Sequence, residues 1–201
     1  MVLSMPSPSS AQLVLASTSR YRRELLARLQ IPFETAAPAV DETPLDREAP
    51  QALAVRLAAA KAQAVRHAWP DALIIGSDQV AVVGSVLLNK PGNHANAFNQ
   101  LRLMSGKVVH FFTALCMLNA RTARQQTALV PVTVQMREIS DAGIERYLRA
   151  EQPYDCAGSA RIEGMGITLV ARLESDDPSA LIGLPLIALC DMLRNEGIVL
   201  P

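Results

Sequence analysis

The amino-acid sequence predicts a mixed α/β domain, and three features carry that prediction. Short apolar runs of strand length alternate with stretches that are apolar at helical spacing. One apolar run, Leu73–Ile75, is continuous, as in a strand covered on both faces. Two long apolar runs late in the chain are joined by a polar turn, the pattern of an antiparallel hairpin. Strands alternating with helices, with hairpins inserted, make a mixed sheet flanked by helices.

The elements follow in order. Gln12–Ala16 reads as a buried strand and runs through a small polar turn, Ser17–Thr18–Ser19, into a helix that begins at Arg20. Phe33–Ala36 is a further short strand, and Asp41–Pro44 a polar loop. Pro50–Trp69 reads as an Ala-rich helix with Leu53, Leu57, Ala60 and Ala64 on its apolar face. Leu73–Val83 is a long strand, and Val86–Leu88 pairs back on it. Asn93–Met104 is a helix. Val108–Leu118 and Thr127–Gln135 form the hairpin. Asp141–Ala150 is a helix, Ile167–Val170 a strand, and Pro185–Asn195 a final amphipathic helix.

Composition narrows the function classes. Half of the 201 residues are hydrophobic and only 4 % are aromatic, so the core is aliphatic. A chain of this length buries roughly 70 % of its unfolded surface and needs no disulfide or metal to fold. The 19 basic and 19 acidic residues cancel, which gives no bulk attraction to nucleic acid or to an anionic membrane. Three widely spaced cysteines show no metal or redox pattern and fit a reducing cytosol. No run approaches the ~20 apolar residues of a membrane span. Residues 1–10 read as a polar, disordered tail without a signal-peptide pattern, followed by a single domain over 11–201.

Several places could hold chemistry. The turn STSRYRR, Ser17–Arg23, puts hydroxyls and three arginines at a helix N-terminus. Free backbone N–H groups and guanidinium forks suit a phosphate there. Three cations at that end oppose the helix dipole, so something anionic should compensate. The adjacent acids Asp41 and Glu42 are either a solvated loop or oxygen donors for a hard cation. Lys61 lies roughly 60° from the centre of the apolar face defined above, at ~100° per residue, so it borders the buried side. Such a lysine either snorkels or aims at an anion. Asp78 follows a continuous apolar run, at the end of a strand where α/β sheets bind ligands. Its spacing alone leaves a structural loop cap open as well. Asn89–Gly92 is a turn that carries Lys90. His67, His94 and His110 show no ligand spacing, and no Walker loop, Ser-His-Asp order or nucleophilic Cys context is present.

Taken together these segments resemble the Maf family of nucleotide pyrophosphatases over essentially the whole chain after Ser10. The resemblance rests on LASTSRYRRELL (Leu15–Leu26), VDETP (Val40–Pro44), RLAAAKAQAV (Arg56–Val65), IIGSDQV (Ile74–Val80), NKPG (Asn89–Gly92), CAGSARIEGMGI (Cys156–Ile167) and GLPL (Gly183–Leu186). Each is weak alone; seven in family order are specific. Arg20, where many relatives carry proline, and Asn89 before the lysine depart from the pattern, but neither removes a charge. The resemblance implies a central sheet with a cleft between two lobes, and hydrolysis of nucleoside triphosphates to monophosphate and pyrophosphate with Mg²⁺ or Mn²⁺. It implies Asp78, Lys61, Lys90 and Arg22 as catalytic residues, Ser17 as a substrate contact, and Glu42 with Asp78 at the metal. A homodimer and a small-molecule nucleotide partner follow from the same likeness.

Within the family, Gln79 after the aspartate and Glu163 after CAGS resemble the 7-methyl-GTP pyrophosphatase branch, with Tyr21 as its aromatic. A tyrosine face suits the delocalised cation of 7-methylguanine, and Glu163 can accept hydrogen bonds from the base edge. Without the likeness, Tyr21 reads equally as a helix-surface aromatic and Glu163 as a solvated acid. The alternatives are the dTTP/UTP branch of the same family, an inosine/xanthosine triphosphate pyrophosphatase, and a non-catalytic nucleotide-binding regulator of cell division.

Overall fold

The computed structural model describes residues 12–200; the tail expected over residues 1–10 lies outside them. The elements are β1 (Leu13–Ala16), α1 (Arg20–Ala27), β2 (Phe33–Ala36), α2 (Pro50–Ala64), β3 (Leu73–Val83) and β4 (Val86–Leu88). They continue with α3 (His94–Met104), β5 (Val108–Asn119), β6 (Gln125–Met136), α4 (Asp141–Glu151), β7 (Val170–Glu174) and α5 (Leu186–Asn195). One mixed sheet runs β2-β1-β3-β5-β6-β7, with β4 also on β3. The pairs β2–β1 and β1–β3 are parallel; the rest are antiparallel. The mixed α/β class is as the sequence predicts.

Two elements differ from the sequence reading. The helix expected to reach Trp69 stops at Ala64 and gives way to a 3-10 turn over Arg66–Ala68. Pro70 disfavours helical geometry in the residue before it, and Trp69 is accordingly non-helical at φ −133°. The strand expected over Ile167–Val170 lies later, at Val170–Glu174, while Met165–Leu169 forms a 3-10 turn. Gly166 explains the shift: a Cβ there would sit 2.3 Å from the Arg161 carbonyl. The chain over 161–166 is therefore wound too tightly to extend.

Alternation along β3 sends its residues to two different layers. Ile74, Val80 and Val82 pack with Leu53, Leu57 and Ala58 of α2. Leu73 and Ile75 pack on the opposite face with Leu25, Leu26 and the α5 residues Leu189 and Leu193. A further cluster joins the far ends of β3 and β5 to α3 and α4 through Val83, Phe111, Leu101 and Leu148.

How α2 meets the sheet decides where Lys61 goes. The helix buries Leu53, Ala54, Leu57, Ala58, Lys61 and Ala62, so Lys61 is near the middle of the buried arc instead of at its border. The expected face was drawn one row off: Ala64 is exposed and Ala60 only half-buried. The row Ala54–Ala58–Ala62 rests on the sheet, and Gly76 permits the approach. A Cβ on Gly76 would lie 2.1 Å from the Ala58 carbonyl oxygen and 2.8 Å from the Ala62 nitrogen. Backbone atoms cannot swing away as a flexible side chain can. Gly76→Ala should therefore lower stability by about 3 kcal/mol through overpacking, read by urea denaturation. A stability unchanged within ~0.5 kcal/mol would show that α2 is free to shift.

Candidate active site

The site lies where β3 loses a neighbour. Leu73–Ile75 pairs with β1, and Ala81–Val83 pairs with β4. Between them Gly76–Val80 pairs only with β5. A cavity of about 690 Å³ opens there. Its apolar wall comes from Leu53, Leu57 and Val80 on one side and from Leu88, Phe111 and Leu181 on the other.

Asp78 stands at the centre of the unpaired stretch and is buried, with 7 % of its surface exposed. It points towards α2, where the Lys61 ammonium meets Asp78 Oδ1 at 2.6 Å. The same Nζ meets Glu42 Oε1 at 2.6 Å. One buried cation therefore joins a buried carboxylate to an exposed one. Burial raises the Asp78 pKa, and the charges of Lys61 and Arg22 only partly offset it. Burial acts upward on Glu42 too, but the hydrogen bond and charge of Lys61, with Lys90 and Arg22, outweigh it and leave Glu42 below its ordinary value.

The N-terminus of α1 faces this group. Ser19 is the N-cap and accepts from the Arg22 N–H. Arg22 Nε donates to the Gly183 carbonyl at 2.8 Å, while its other guanidinium N–H groups bond to no described residue. Burial lowers the Arg22 pKa against the opposing pull of Asp78 and Glu42, and an arginine remains cationic through such a shift. Lys90 lines the cavity, exposed and without an ion pair to any described residue. Ser17 is buried and is not at the cavity wall; its Oγ accepts from the Ser19 N–H at 3.1 Å. It fixes the turn, and Thr18 and Ser19 present themselves to the cavity in its place.

The other end of the cavity holds Tyr21, Gln79 and Glu163. Gln79 Nε2 donates towards Thr113 Oγ1 at 2.9 Å and the Ala180 and Leu181 carbonyls at 3.0 Å. Its Oε1 accepts from no described residue. Arg161 holds Glu163 at 3.4 Å and is itself anchored to the mostly buried Glu151 at 2.7 Å. Tyr21 is only 9 % exposed. The Arg20 guanidinium lies over its ring at 4.6 Å and that of Arg161 at 5.7 Å. Its hydroxyl donates to Asp155 Oδ1 at 3.0 Å. Burial first, then the Cys156 contact, raises the Tyr21 pKa.

A model of the family described as Maf-like protein matches residues 12–196. The chain belongs to the Maf family. Three similar proteins are each named 7-methyl-GTP pyrophosphatase. The one from Thiobacillus denitrificans is 58 % identical over 94 % of this chain and 94 % of its own. That from Cupriavidus pinatubonensis is 54 % identical over 96 % and 97 %, and that from Nitrosococcus oceani 51 % over 97 % and 98 %.

In this Maf domain the cavity brings together eight of the nine site residues that the family likeness implies, with Ser17 standing one step behind and Asp41 away from the wall. Asp155 and Cys156 are among the wall residues that the sequence gives no role. The motif stretch begins at Cys156, one position too late for Asp155. A signal was available: three arginines at the start of α1 require an anion, and Asp155 supplies one to Arg20 at 3.7 Å. Burial pushes the Cys156 thiol up to about 11, which disfavours the thiolate. His94, left without ligand spacing, bridges Glu145 at 2.9 Å and Tyr154 at 3.0 Å. Among the described residues no three His, Cys, Asp or Glu side chains cluster as a metal site, and no helix is long and apolar enough to cross a membrane.

Proposed function

We propose that the chain hydrolyses 7-methyl-GTP to 7-methyl-GMP and pyrophosphate, removing a modified nucleotide. The observation that carries this reading is the group Asp78–Lys61–Glu42 at 2.6 Å contacts, facing Arg22 and Lys90 across one cavity. Catalysis at a phosphoanhydride is mostly positioning and charge stabilisation. Arg22, Lys90 and the N–H groups of α1 hold the phosphates. Asp78 takes a proton from water as its oxygen bonds to the α-phosphorus, and the bond to the β-phosphate oxygen breaks to release pyrophosphate. The raised Asp78 pKa makes it a stronger base than a free carboxylate.

Two carboxylates with substrate phosphate oxygens form a hard donor set that fits Mg²⁺ or Mn²⁺, and Glu42 is the more open of the two. Such a cation, when bound, neutralises charge on the phosphates. At the base end, the free Gln79 Oε1 and the Glu163 carboxylate can accept from the N1–H and N2–H₂ edge of guanine, beside the Tyr21 ring. The names of the three relatives support the same substrate.

A panel of canonical and 7-methylated triphosphates, assayed for pyrophosphate with Mg²⁺ and Mn²⁺, tests the reading. 7-Methyl-GTP should be the preferred substrate, and chelation should abolish turnover. A preference for dTTP or UTP would sink it, as would nucleotide binding without pyrophosphate release. In the same panel Tyr21→Arg should cut 7-methyl-GTP turnover about tenfold more than UTP turnover, since a cation replaces a cation-binding face. Equal losses would remove Tyr21 from base selection.

A further inference from the structure

At the base end the residues proposed for recognition are already engaged by arginine. The Arg20 guanidinium, 4.6 Å from the Tyr21 ring centre, also donates to the Tyr21 hydroxyl at 2.6 Å and pairs with Asp155 at 3.7 Å. A guanidinium is a planar, delocalised cation that stacks on aromatic faces. So is the 7-methylguanine ring. Because Tyr21 is 9 % exposed, a base can stack on it only after something leaves.

The two arginines differ in how they are held. Arg161 is fixed at 2.7 Å to Glu151, whose side chain is 9 % exposed and whose other oxygen accepts from the Met165 N–H at 2.7 Å. Arg20 is 54 % exposed and Asp155 53 %, and an exposed ion pair is weak. Arg20 is therefore the group that can be exchanged.

We propose that Arg20 is a resident cation that a cationic base displaces from Tyr21, and that Asp155, freed of its counterion, selects the base by its charge. Asp155 is thus a specificity-determining residue beside Glu163. This rests on the 7-methyl-GTP reading given above. When Arg20 swings out, the Asp155 carboxylate and the Tyr21 face lose a positive partner. A 7-methylguanine ring restores it; a neutral guanine leaves the carboxylate uncompensated. Selectivity then comes from the exchange of one cation for another.

The test uses nucleosides, so that neither the phosphate site nor turnover enters. Binding of 7-methylguanosine and of guanosine to the full-length protein is measured by calorimetry for wild type, Asp155→Asn and Arg20→Gln. Asp155→Asn keeps an acceptor for the Tyr21 hydroxyl but removes the charge. It should weaken 7-methylguanosine about tenfold and guanosine less than about threefold, because only the cationic base gains from a carboxylate that the bound ring itself shields from water. Arg20→Gln should tighten 7-methylguanosine about threefold, because nothing must be displaced. Equal losses for both nucleosides in Asp155→Asn, or weaker 7-methylguanosine binding in Arg20→Gln, overturn the proposal. Pyrophosphate release from 7-methyl-GTP is followed in parallel on wild type. Its absence there sinks the proposed reaction, while the nucleoside preference still decides the exchange.

Discussion

Asp78→Asn should fold and lose about 10³-fold in kcat, within the range a positioned general base contributes. The amide keeps the shape and an oxygen for the Lys61 ammonium, which also retains Glu42 at 2.6 Å. What disappears is the proton acceptor. The sign of the pKa shift keeps this loss separate from unfolding. Asp78 has a folded pKa above its ordinary value of 3.8 because burial penalises the charged form. Its contribution to stability is thus largest below the unfolded pKa and is lost as pH rises through the folded one. At neutral pH its ionised form costs folding free energy, and a neutral amide removes that cost. Against that gain, the buried Lys61 ammonium loses one of its two carboxylate partners, so urea denaturation should show a folded variant destabilised by no more than about 3 kcal/mol. In the wild type, kcat/KM should fall on acidification at a pH above the ordinary aspartate value of 3.8, since the base must be deprotonated. A folded Asp78→Asn protein with wild-type kcat would exclude the general-base role. Titrating Mn²⁺ distinguishes the remaining roles: recovery at high Mn²⁺ marks Asp78 as a metal ligand, and no recovery marks it as the base.

The sequence was most legible where one local pattern decides one element. The continuous run of β3, the cap residue Ser19 and the hairpin β5–β6 all lie where periodicity and turn chemistry place them. It was least legible where packing between distant segments decides. Nothing near Lys61 in sequence says that α2 rests its alanine row on Gly76; that contact turns the helix and buries the lysine. The strand expected over Ile167–Val170 moved because Gly166 packs against a carbonyl five residues earlier. At the site, the acids and bases of the phosphate end could be singled out as charges in unusual places. Family likeness then supplied their roles. The base end was harder. Tyr21 reads as an open stacking face until Arg20 and Arg161 are seen over it. Asp155 carries no spacing signal, only an unmet need for an anion near three arginines. The gap between β1 and β4 that exposes Asp78 depends on register across the sheet, which no window of sequence reports.

Removing the Lys61 charge while keeping its volume, in Lys61→Met, should cost about 3 kcal/mol of stability near neutral pH, in the range for stripping one partner from a buried pair. Asp78 dominates that cost, because its side chain is 9 % exposed; Glu42 at 59 % is screened by water and adds little. The pH dependence has a definite sign. Glu42 is held below its ordinary 4.5 in the wild type, so its share of stability is present above the unfolded pKa and lost as pH falls through the folded one. In the variant both carboxylates lose their cation, and the Asp78 pKa rises further under unopposed burial, with Arg22 as its remaining neighbour. Protonation then relieves the variant at a pH where the wild type gains no such relief. Urea denaturation at pH 7.5 and pH 5 should show the gap between the two proteins narrowing on acidification. A gap that stays constant with pH would mean that methionine merely packs badly and that the charge contacts contribute nothing to folding. Activity should vanish at both pH values. Lys61 aligns the base, Asp78, with Glu42, and Arg22 with Lys90 cannot supply that contact, since neither bonds to a carboxylate of the group.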